Sequence, residues 1–141
     1  MIILNTNVIS EAIKPQPSQA VQAWFDAQDA STLFLTSVTL AELWYGIGAL
    51  PAGRRRQSLA KAVDGLIALF LGRILAFDTD AARHHAASAL RARAAGQGLP
   101  APDAHIAAIA AASSYAVATR DAAPFRAAGV AVIDPWQFRP H

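Results

Sequence analysis

The sequence predicts an α/β fold built on a mostly parallel, five-stranded sheet. Short apolar runs alternate with longer segments whose apolar residues recur at helical spacing, and this alternation is typical of parallel strands joined by helices. The length of 141 residues and the hydrophobic content of 54% suit one domain with one core. Because no internal repeat or linker interrupts the pattern, we take residues 1–141 as a single domain that ends in a short tail after about residue 136.

The first half of the chain is predicted to contain two strands and four helices. Apolar runs that stop at polar residues are taken as buried strands. Segments with one apolar face that end at proline or glycine are taken as helices. Ser18 is the expected N-cap of the second helix, and Ser37 or Thr39 begins the third. The predicted elements are strand 2–4, helix 8–13, helix 19–28, strand 33–36, a helix ending near residue 50, and helix 54–70.

The second half of the chain is predicted to contain three strands and two helices. Glycine closes the first of these helices, and a rigid loop rich in glycine and proline separates it from the second. Alanine, which forms helices readily but buries little area, dominates the second helix. The predicted elements are strand 73–77, helix 81–95, helix 103–114, strand 116–118 and strand 130–133.

The composition narrows the class of protein. The chain has no cysteine, which excludes disulfides, thiolate zinc sites and cysteine nucleophiles. A net charge of +2 is too small to predict nucleic-acid binding by itself. Apolar stretches are too short to span a membrane and the first residues lack a signal peptide's basic flank, so we expect a soluble, cytoplasmic protein. A charged content of only 16% suggests that a partner or a second copy covers some apolar surface.

Four polar residues are expected to meet at one edge of the sheet, since ligands of open parallel sheets bind beyond the carboxyl ends of the strands. Asn5 follows the first strand and Asp121 the fourth, while Glu42 and Asp103 lie near the starts of helices. Oxygen ligands without cysteine or a histidine pair favour Mg²⁺ or Mn²⁺ over Zn²⁺. Such an ion can activate water and neutralise charge that develops on a phosphodiester.

Each acidic residue also has a purely local interpretation. Glu42 follows Thr39 by three residues and could complete a capping box. Asp103 could simply favour the positive end of its helix, and Asp121 could close a turn with its side chain. The prediction of a shared site therefore depends on the convergence of these positions in the predicted fold.

Four segments and the end of the chain carry a family resemblance. They are MIILNTNVISE at 1–11, SVTLAEL at 37–43, PDAHIAA at 102–108 and ATRD at 118–121, followed by Phe125 and by DPW at 134–136. In order and spacing they resemble the motifs of VapC-type PIN-domain toxins, which are ribonucleases of type II toxin–antitoxin systems, and especially the FitB-like branch.

The resemblance implies a PIN-like, three-layer α/β/α fold and a metal-dependent endoribonuclease that hydrolyses RNA phosphodiesters. It also implies a homodimer and a cognate VapB- or FitA-like antitoxin, whose tail would block the active site and whose other domain would bind operator DNA. By position, Glu42, Asp103 and Asp121 correspond to catalytic metal ligands of the family. Asn5 occupies the position of the first ligand, which is an aspartate in the family.

Four neighbours of these positions could support the site. Thr6 and Asn7 lie beside the first position and could orient ligands or phosphate. Thr119 and Arg120 directly precede Asp121. Arg120 could contact a phosphate of the substrate, or it could form a local salt bridge with Asp121.

Position 5 separates the expected fold from the expected activity. Asparagine offers a neutral carbonyl oxygen, so we expect weaker metal binding and little or no cleavage. Asn5 could be a disarming substitution, or it could be the natural residue of a weak nuclease that acts mainly as the antitoxin's partner in an autoregulatory, DNA-binding complex. Glu11, about one helical turn further on, could replace the lost carboxylate, or it could be a solvated helix residue.

Three other features have competing interpretations. The basic run Arg54–Arg56 could contact RNA phosphates or could form a solvated helix face. His84 and His85 are adjacent and point to different sides of a helix, so we do not expect them to share a metal. For Trp44 and Tyr45 we favour core packing or a dimer surface over base stacking.

Overall fold

Five strands form one sheet in which every neighbouring pair is parallel. The computed structural model describes residues 1–140. Its strands are β1 (Ile2–Leu4), β2 (Leu33–Thr36), β3 (Ile74–Leu75), β4 (Ala116–Ala118) and β5 (Val132–Ile133). Its helices are α1 (Thr6–Ala12), α2 (Gln19–Asp26), α3 (Ser37–Gly48), α4 (Arg54–Leu69), α5 (Thr79–Ala94), α6 (Ala101–Ser113) and α7 (Ala122–Ala127), with short 3-10 helices at Ala30–Thr32 and Pro135–Gln137. The predicted α/β fold is confirmed.

The order of the strands, β3-β2-β1-β4-β5, places the start of the chain at the centre of the sheet. Ile3 pairs with Phe34 of β2 on one side and with Val117 of β4 on the other. The chain builds outward from β1 in both directions, so the connections after β1 and β4 lead away from each other. Such a switch point opens a crevice at the carboxyl ends of the two strands.

Strand side chains alternate between two cores, one on each face of the sheet, as the two-residue period of a strand requires. Ile3 and Val117 are buried in the core that α5, α6 and α7 cover. Leu4 and Leu35 are buried in the core formed mainly with α1 to α4. The result is the three-layer α/β/α arrangement that the resemblance implied.

Alanine forms much of the contact between α5 and α6. Ala81 and Ala92 of α5 and Ala107 and Ala110 of α6 are buried in the same core. Their small side chains let the two helices pack closely over the sheet. This packing fixes the first turn of α6, which carries Asp103, at the carboxyl edge of the sheet.

Three helices begin two residues earlier than the sequence predicts. Helix α5 begins at Thr79 because the side chain of Asp78 is its N-cap and accepts a hydrogen bond from the Ala81 N–H. Helix α1 begins at Thr6 because the side chain of Asn5 is its N-cap and accepts a hydrogen bond from the Thr6 N–H. Helix α6 begins ahead of Asp103 because Pro102 lies in its first turn, where the missing N–H of proline costs nothing. The expected polar turn after β1 is therefore the start of a helix.

Several short elements were missed by the sequence analysis or predicted to be longer than they are. Strands β3 and β5 lie at the two edges of the sheet, pair on one side only, and are two residues each. Helix α7 has six residues, and the 3-10 helices three each, which is too short for a periodic apolar pattern to be visible.

The end of the chain packs against the fold further than predicted. Trp136 and Phe138 both contact the core formed with α1 to α4. The tail expected after residue 136 therefore includes a packed aromatic residue, Phe138, and its last residue, 141, lies outside the described residues. Within residues 1–140, no helix has the length and apolar character that a membrane span requires.

Candidate active site

A cavity of about 470 Å³ opens at the carboxyl edge of the sheet, beside the switch point between β1 and β4. The backbone N–H of Asn5 donates to the carbonyl of Ala118 at 3.0 Å, which holds the two strand ends together beneath it. The residues that line the cavity are Asn5, Thr6, Asn7, Ser10, Glu11, Lys14, Glu42, Asp103, Arg120, Asp121 and Trp136. All four predicted site positions are among them, although they come from four different parts of the chain.

Three carboxylates line this cavity, those of Glu42, Asp103 and Asp121. Burial raises the pKa of Asp103 from 3.8 to about 6, and the negative charges of Glu42 and then Asp121 add to the rise. There are two reasons: a half-buried carboxylate loses hydration, and the two negatively charged neighbours repel its charge. The cluster therefore carries electrostatic strain that a bound cation would relieve.

The donor set of the cavity fits a hard divalent cation. Every candidate ligand is an oxygen, from carboxylates and from the Asn5 and Asn7 amides. The Asn7 Oδ1 atom is buried and has no hydrogen-bond partner among residues 1–140. No three His or acidic side chains in that range stand close enough to hold one ion together. Mg²⁺ commonly uses only one or two carboxylates together with water, so the oxygen donors of the cavity fit such an ion without a cluster of three carboxylates.

Asn5 is almost completely buried, with 3% of its surface exposed, and both ends of its amide are engaged. Its Oδ1 atom accepts from the Thr6 N–H at 2.9 Å, and its Nδ2 atom donates to Thr119 Oγ1 at 3.0 Å. The residue is therefore a helix cap and a link between β1 and β4. It brings a neutral oxygen, and no charge, to the position that the resemblance assigns to an aspartate.

The hydroxyl of Thr119 accepts hydrogen bonds from three residues of the site. It accepts from Asn5 Nδ2 at 3.0 Å, from Asn7 Nδ2 at 3.1 Å and from the Asp121 N–H at 3.1 Å. Three donors converge on an oxygen with two lone pairs, so they share its accepting capacity. Sequence reasoning marked Thr119 only as a neighbour of Asp121, since the fold alone brings residues 5 and 7 to it.

Thr6 orients Glu42. The Thr6 hydroxyl donates to Glu42 Oε1 at 2.6 Å and lies 3.1 Å from the hydroxyl of Thr39. Because a hydroxyl has one hydrogen, Thr6 donates to the carboxylate and accepts from Thr39. Helix α3 is capped by Thr36, whose Oγ1 accepts from the Thr39 N–H. The capping-box interpretation of Glu42 was therefore wrong, because Glu42 lies beyond the first turn.

The carboxylate of Asp121 is not used by its own turn. The hydroxyl of Thr119 accepts the Asp121 N–H, and the Asp121 side chain makes no capping bond to α7. The turn-closing interpretation was thus wrong, and the carboxylate is free to face the cavity. Asp103 lies in the first turn of α6, so its position also suits the helix dipole.

Glu11 lies at the cavity wall but serves the fold. Its Oε1 pairs with Lys14 Nζ at 3.0 Å, and its Oε2 accepts from the Ser18 N–H at 3.0 Å. Both bonds lower the pKa of Glu11, that of Lys14 more. With its side chain 12% exposed and both oxygens engaged, Glu11 ties α1 to the start of α2. It is neither a solvated residue nor a free replacement for a carboxylate at position 5.

Comparison with known proteins identifies the fold. The PIN domain family matches residues 2–130. The chain belongs to the PIN-domain family. A VapC ribonuclease of Sinorhizobium fredii, Y4jK, is 46% identical over 138 residues, which cover 97% of this chain and 99% of that protein. Toxin FitB of Neisseria gonorrhoeae is 42% identical over 137 residues, which cover 96% of this chain and 99% of that protein.

A solved structure places this PIN domain among toxin–antitoxin proteins. The structure of FitAB bound to an IR36 DNA fragment matches with a TM-score of 0.91 and 40% identity, covering 100% of this chain and 99% of that chain. The resemblance to VapC-type PIN toxins and to the FitB-like branch is confirmed.

Other residues that sequence analysis singled out lie on the outer surface of the PIN domain. Arg54–Arg56 are exposed and do not line the cavity. Trp44 is 51% exposed and Tyr45 is 81% exposed, so the core-packing interpretation of these two was wrong. The surface interpretation is the one that their exposure supports.

The histidines also lie away from the acidic cavity of the PIN domain. His84 is exposed, whereas His85 stacks with Phe77 and His105, its ring centroid lying 5.1 Å from that of His105. His84 and His85 thus point in different directions, as predicted. Arg120 makes no salt bridge with any of residues 1–140, so its predicted alternative pairing with Asp121 was wrong.

Proposed function

We propose that this chain is the toxin of a toxin–antitoxin module and that its fold is that of an endoribonuclease. The observation that carries the proposal is the convergence of Glu42, Asp103 and Asp121 in one cavity at the switch point of a PIN fold. A relative that is 46% identical over 97% of this chain is a VapC ribonuclease. The substrate class is RNA, and the bond cleaved is a phosphodiester.

The proposed cofactor is Mg²⁺ or Mn²⁺. Glu42, Asp103 and Asp121 would hold it, with Asn5 at the first ligand position and Thr6 orienting Glu42 through its 2.6 Å hydrogen bond. When bound, the ion would supply charge neutralisation for a phosphate and a lower pKa for water. The raised pKa of Asp103 supports this assignment, because burial and then the charges of Glu42 and Asp121 disfavour its ionised form, which a bound cation would stabilise.

The chain as it stands is proposed to be a weak or inactive nuclease. Asn5 lacks the charge of an aspartate, and its amide is already engaged by Thr6 and Thr119. A carboxylate at position 5 would accept from the Thr6 N–H and from the Thr119 hydroxyl, which leaves the geometry of both neighbours unchanged. The substitution Asn5→Asp should therefore restore activity without a change in fold.

Cleavage of single-stranded RNA by this chain and by Asn5→Asp, with and without Mg²⁺ or Mn²⁺, tests the proposal. We expect metal-dependent cleavage by Asn5→Asp, at least about a hundredfold faster than by the parent chain. Glu42→Ala added to Asn5→Asp should abolish it, while Asp64→Asn on the distal helix α4 should leave it unchanged. Absence of cleavage by Asn5→Asp in either metal would refute the nuclease proposal.

The second proposed role is that of a binding partner. The matching FitAB structure is a complex bound to DNA. Asn5 is buried, so it contributes almost nothing to the outer surface of the present chain. We propose a homodimer that binds a VapB- or FitA-like antitoxin, and operator DNA only through that antitoxin. Co-purification with such an antitoxin and a mobility shift of operator DNA by the complex, but not by the toxin alone, are the expected results. A mobility shift of DNA by the toxin alone would contradict the proposal that the chain binds operator DNA only through the antitoxin.

A further inference from the structure

We infer that Arg120, held in place by Trp136, positions an RNA phosphate at the mouth of the acidic cavity. The inference deepens the proposed ribonuclease function and rests on it. RNA is a polyanion, and it has to approach a cavity whose own side chains are negative. Glu42, Asp103 and Asp121 repel RNA, so a positive group at the rim is needed to hold the backbone.

Trp136 gives Arg120 a fixed platform. The guanidinium carbon of Arg120 lies 5.0 Å from the centroid of the Trp136 ring, and both residues line the cavity. Trp136 is itself held in place, because its backbone N–H donates to Asp134 Oδ1 at 3.0 Å and its ring packs against the core. Stacking on an aromatic face reduces the freedom of a long side chain while leaving its edge N–H donors available.

Of the two cations among residues 1–140 that line the cavity, Arg120 is the one that forms no ion pair. Lys14 Nζ lies 3.0 Å from Glu11 Oε1, and that pair neutralises it. Arg120 is exposed and forms no salt bridge within residues 1–140. A guanidinium with free, planar donors matches the two oxygens of a phosphate.

The position of Arg120 relates this contact to the carboxylates. It follows Thr119, whose hydroxyl gathers Asn5, Asn7 and the Asp121 N–H, and it directly precedes Asp121. A phosphate bound by Arg120 therefore lies at the border of the acidic cluster. Arg120 is a positioning residue in this account, and it takes no part in proton transfer.

Binding of a fluorescent, single-stranded RNA to the present Asn5 chain, measured by anisotropy over a range of salt concentrations, tests the inference without requiring cleavage. For Arg120→Ala we expect affinity to fall about tenfold and the slope of log K against log salt to become shallower by about 0.7, the change for one lost phosphate contact on a single strand. Arg120→Lys should keep the slope and lose part of the affinity, because lysine retains the charge without the planar stack. Trp136→Phe should likewise keep the slope and weaken binding.

Arg126→Ala is the matched control, since Arg126 is an exposed arginine on α7 that does not line the cavity. Its affinity and slope should equal those of the parent chain. If Arg120→Ala and Arg126→Ala lose RNA affinity equally, the effect is one of net charge and the inference is overturned. The inference is also overturned if neither variant loses affinity. If Arg120→Ala loses affinity for an acidic peptide but not for RNA, the inference is likewise overturned.

Steady-state cleavage by Asn5→Asp separates this inference from the proposed function. Adding Arg120→Ala should raise KM about tenfold and leave kcat within about threefold, because a positioning contact is made in the ground state as well as in the transition state. If Asn5→Asp cleaves RNA and Arg120→Ala leaves KM unchanged, the ribonuclease function stands and the role of Arg120 fails. If Asn5→Asp does not cleave, the function fails and the anisotropy measurement alone decides the role of Arg120.

Discussion

At the scale of single residues, the cavity is defined by an imbalance of charge. Three carboxylates meet at its wall, while the fourth expected ligand position holds the neutral, buried Asn5. The sequence located these four residues because each follows a strand or lies near the start of a helix at the carboxyl edge of a parallel sheet. It could not reveal that Thr119 joins positions 5, 7 and 121, because such hydrogen bonds depend on strand order.

Asp103 is expected to make the stability of the metal-free protein depend on pH. Its pKa is raised from 3.8 to about 6 by burial, by Glu42 and by Asp121, so the folded state keeps the proton to higher pH than the unfolded state. Stability is therefore full below about pH 4 and falls as pH rises through 6, and the cost at pH 7 is about 1–2 kcal/mol once solvent screening is allowed for.

Asp103→Asn should remove this cost. In urea unfolding with EDTA we expect it to be about 1–2 kcal/mol more stable than the parent at pH 7 and equally stable below about pH 4. Asp64→Asn, an exposed position on α4, is the control and should change little. A stability at pH 7 no higher for Asp103→Asn than for the control would contradict the assigned repulsion.

A carboxylate at position 5 should couple stability to metal more strongly. Asn5→Asp adds a buried negative charge to the cavity that Asp103 also lines. We expect this charge to outweigh the gain as a helix cap, so in EDTA the protein should lose about 1–2 kcal/mol of stability. Mg²⁺ binds the folded state and should recover this loss, which raises the melting temperature of Asn5→Asp more than that of the parent.

The exposed Gln22→Glu on α2 adds the same charge away from the cavity and is the control for Asn5→Asp. Thermal melts with EDTA and with Mg²⁺ make the comparison. An equal response to Mg²⁺ by Asn5→Asp and Gln22→Glu would be evidence against a metal site at position 5.

At the scale of secondary structure, strands β1, β2 and β4 and helix α2 matched their predicted positions closely. Their apolar runs are bounded by strong signals, such as the Ser18 cap of α2. The start of α1 was missed because Asn5 serves as a cap, and polar residues such as Thr6 and Asn7 are common in turns and in first helical turns alike.

Thr119 should act as a link between elements. It is fully buried and connects the end of β1 and the start of α1 with the turn between β4 and α7. Thr119→Val leaves the amides of Asn5 and Asn7 without this acceptor, so we expect a loss of about 2–3 kcal/mol in chemical denaturation. Thr79→Val on the exposed start of α5 should cost much less. Equal losses would show that the convergence of donors on Thr119 is unimportant.

At the scale of the whole molecule, strand order creates the site. The order β3-β2-β1-β4-β5 brings the first residues of the chain beside residues 118–121, which no local pattern could predict. The low charged content of 16% also finds an explanation in exposed apolar side chains such as Trp44, Tyr45 and Leu71. These suit a surface that a partner covers, in line with the proposed dimer and antitoxin.

Direct measurement of Mn²⁺ binding by calorimetry tests the central claim, that the acidic cavity holds a divalent metal and that position 5 limits its affinity. The parent chain, Asn5→Asp, and Asn5→Asp with Glu42→Gln would be compared with the Gln22→Glu control. We predict binding by Asn5→Asp at least about tenfold tighter than by the parent and the control, because one added charge within a few ångströms is worth more than 1.4 kcal/mol even in a polar site. Glu42→Gln should remove most of the gain. Equal affinity for Asn5→Asp and Gln22→Glu, or no binding by Asn5→Asp, would contradict the account.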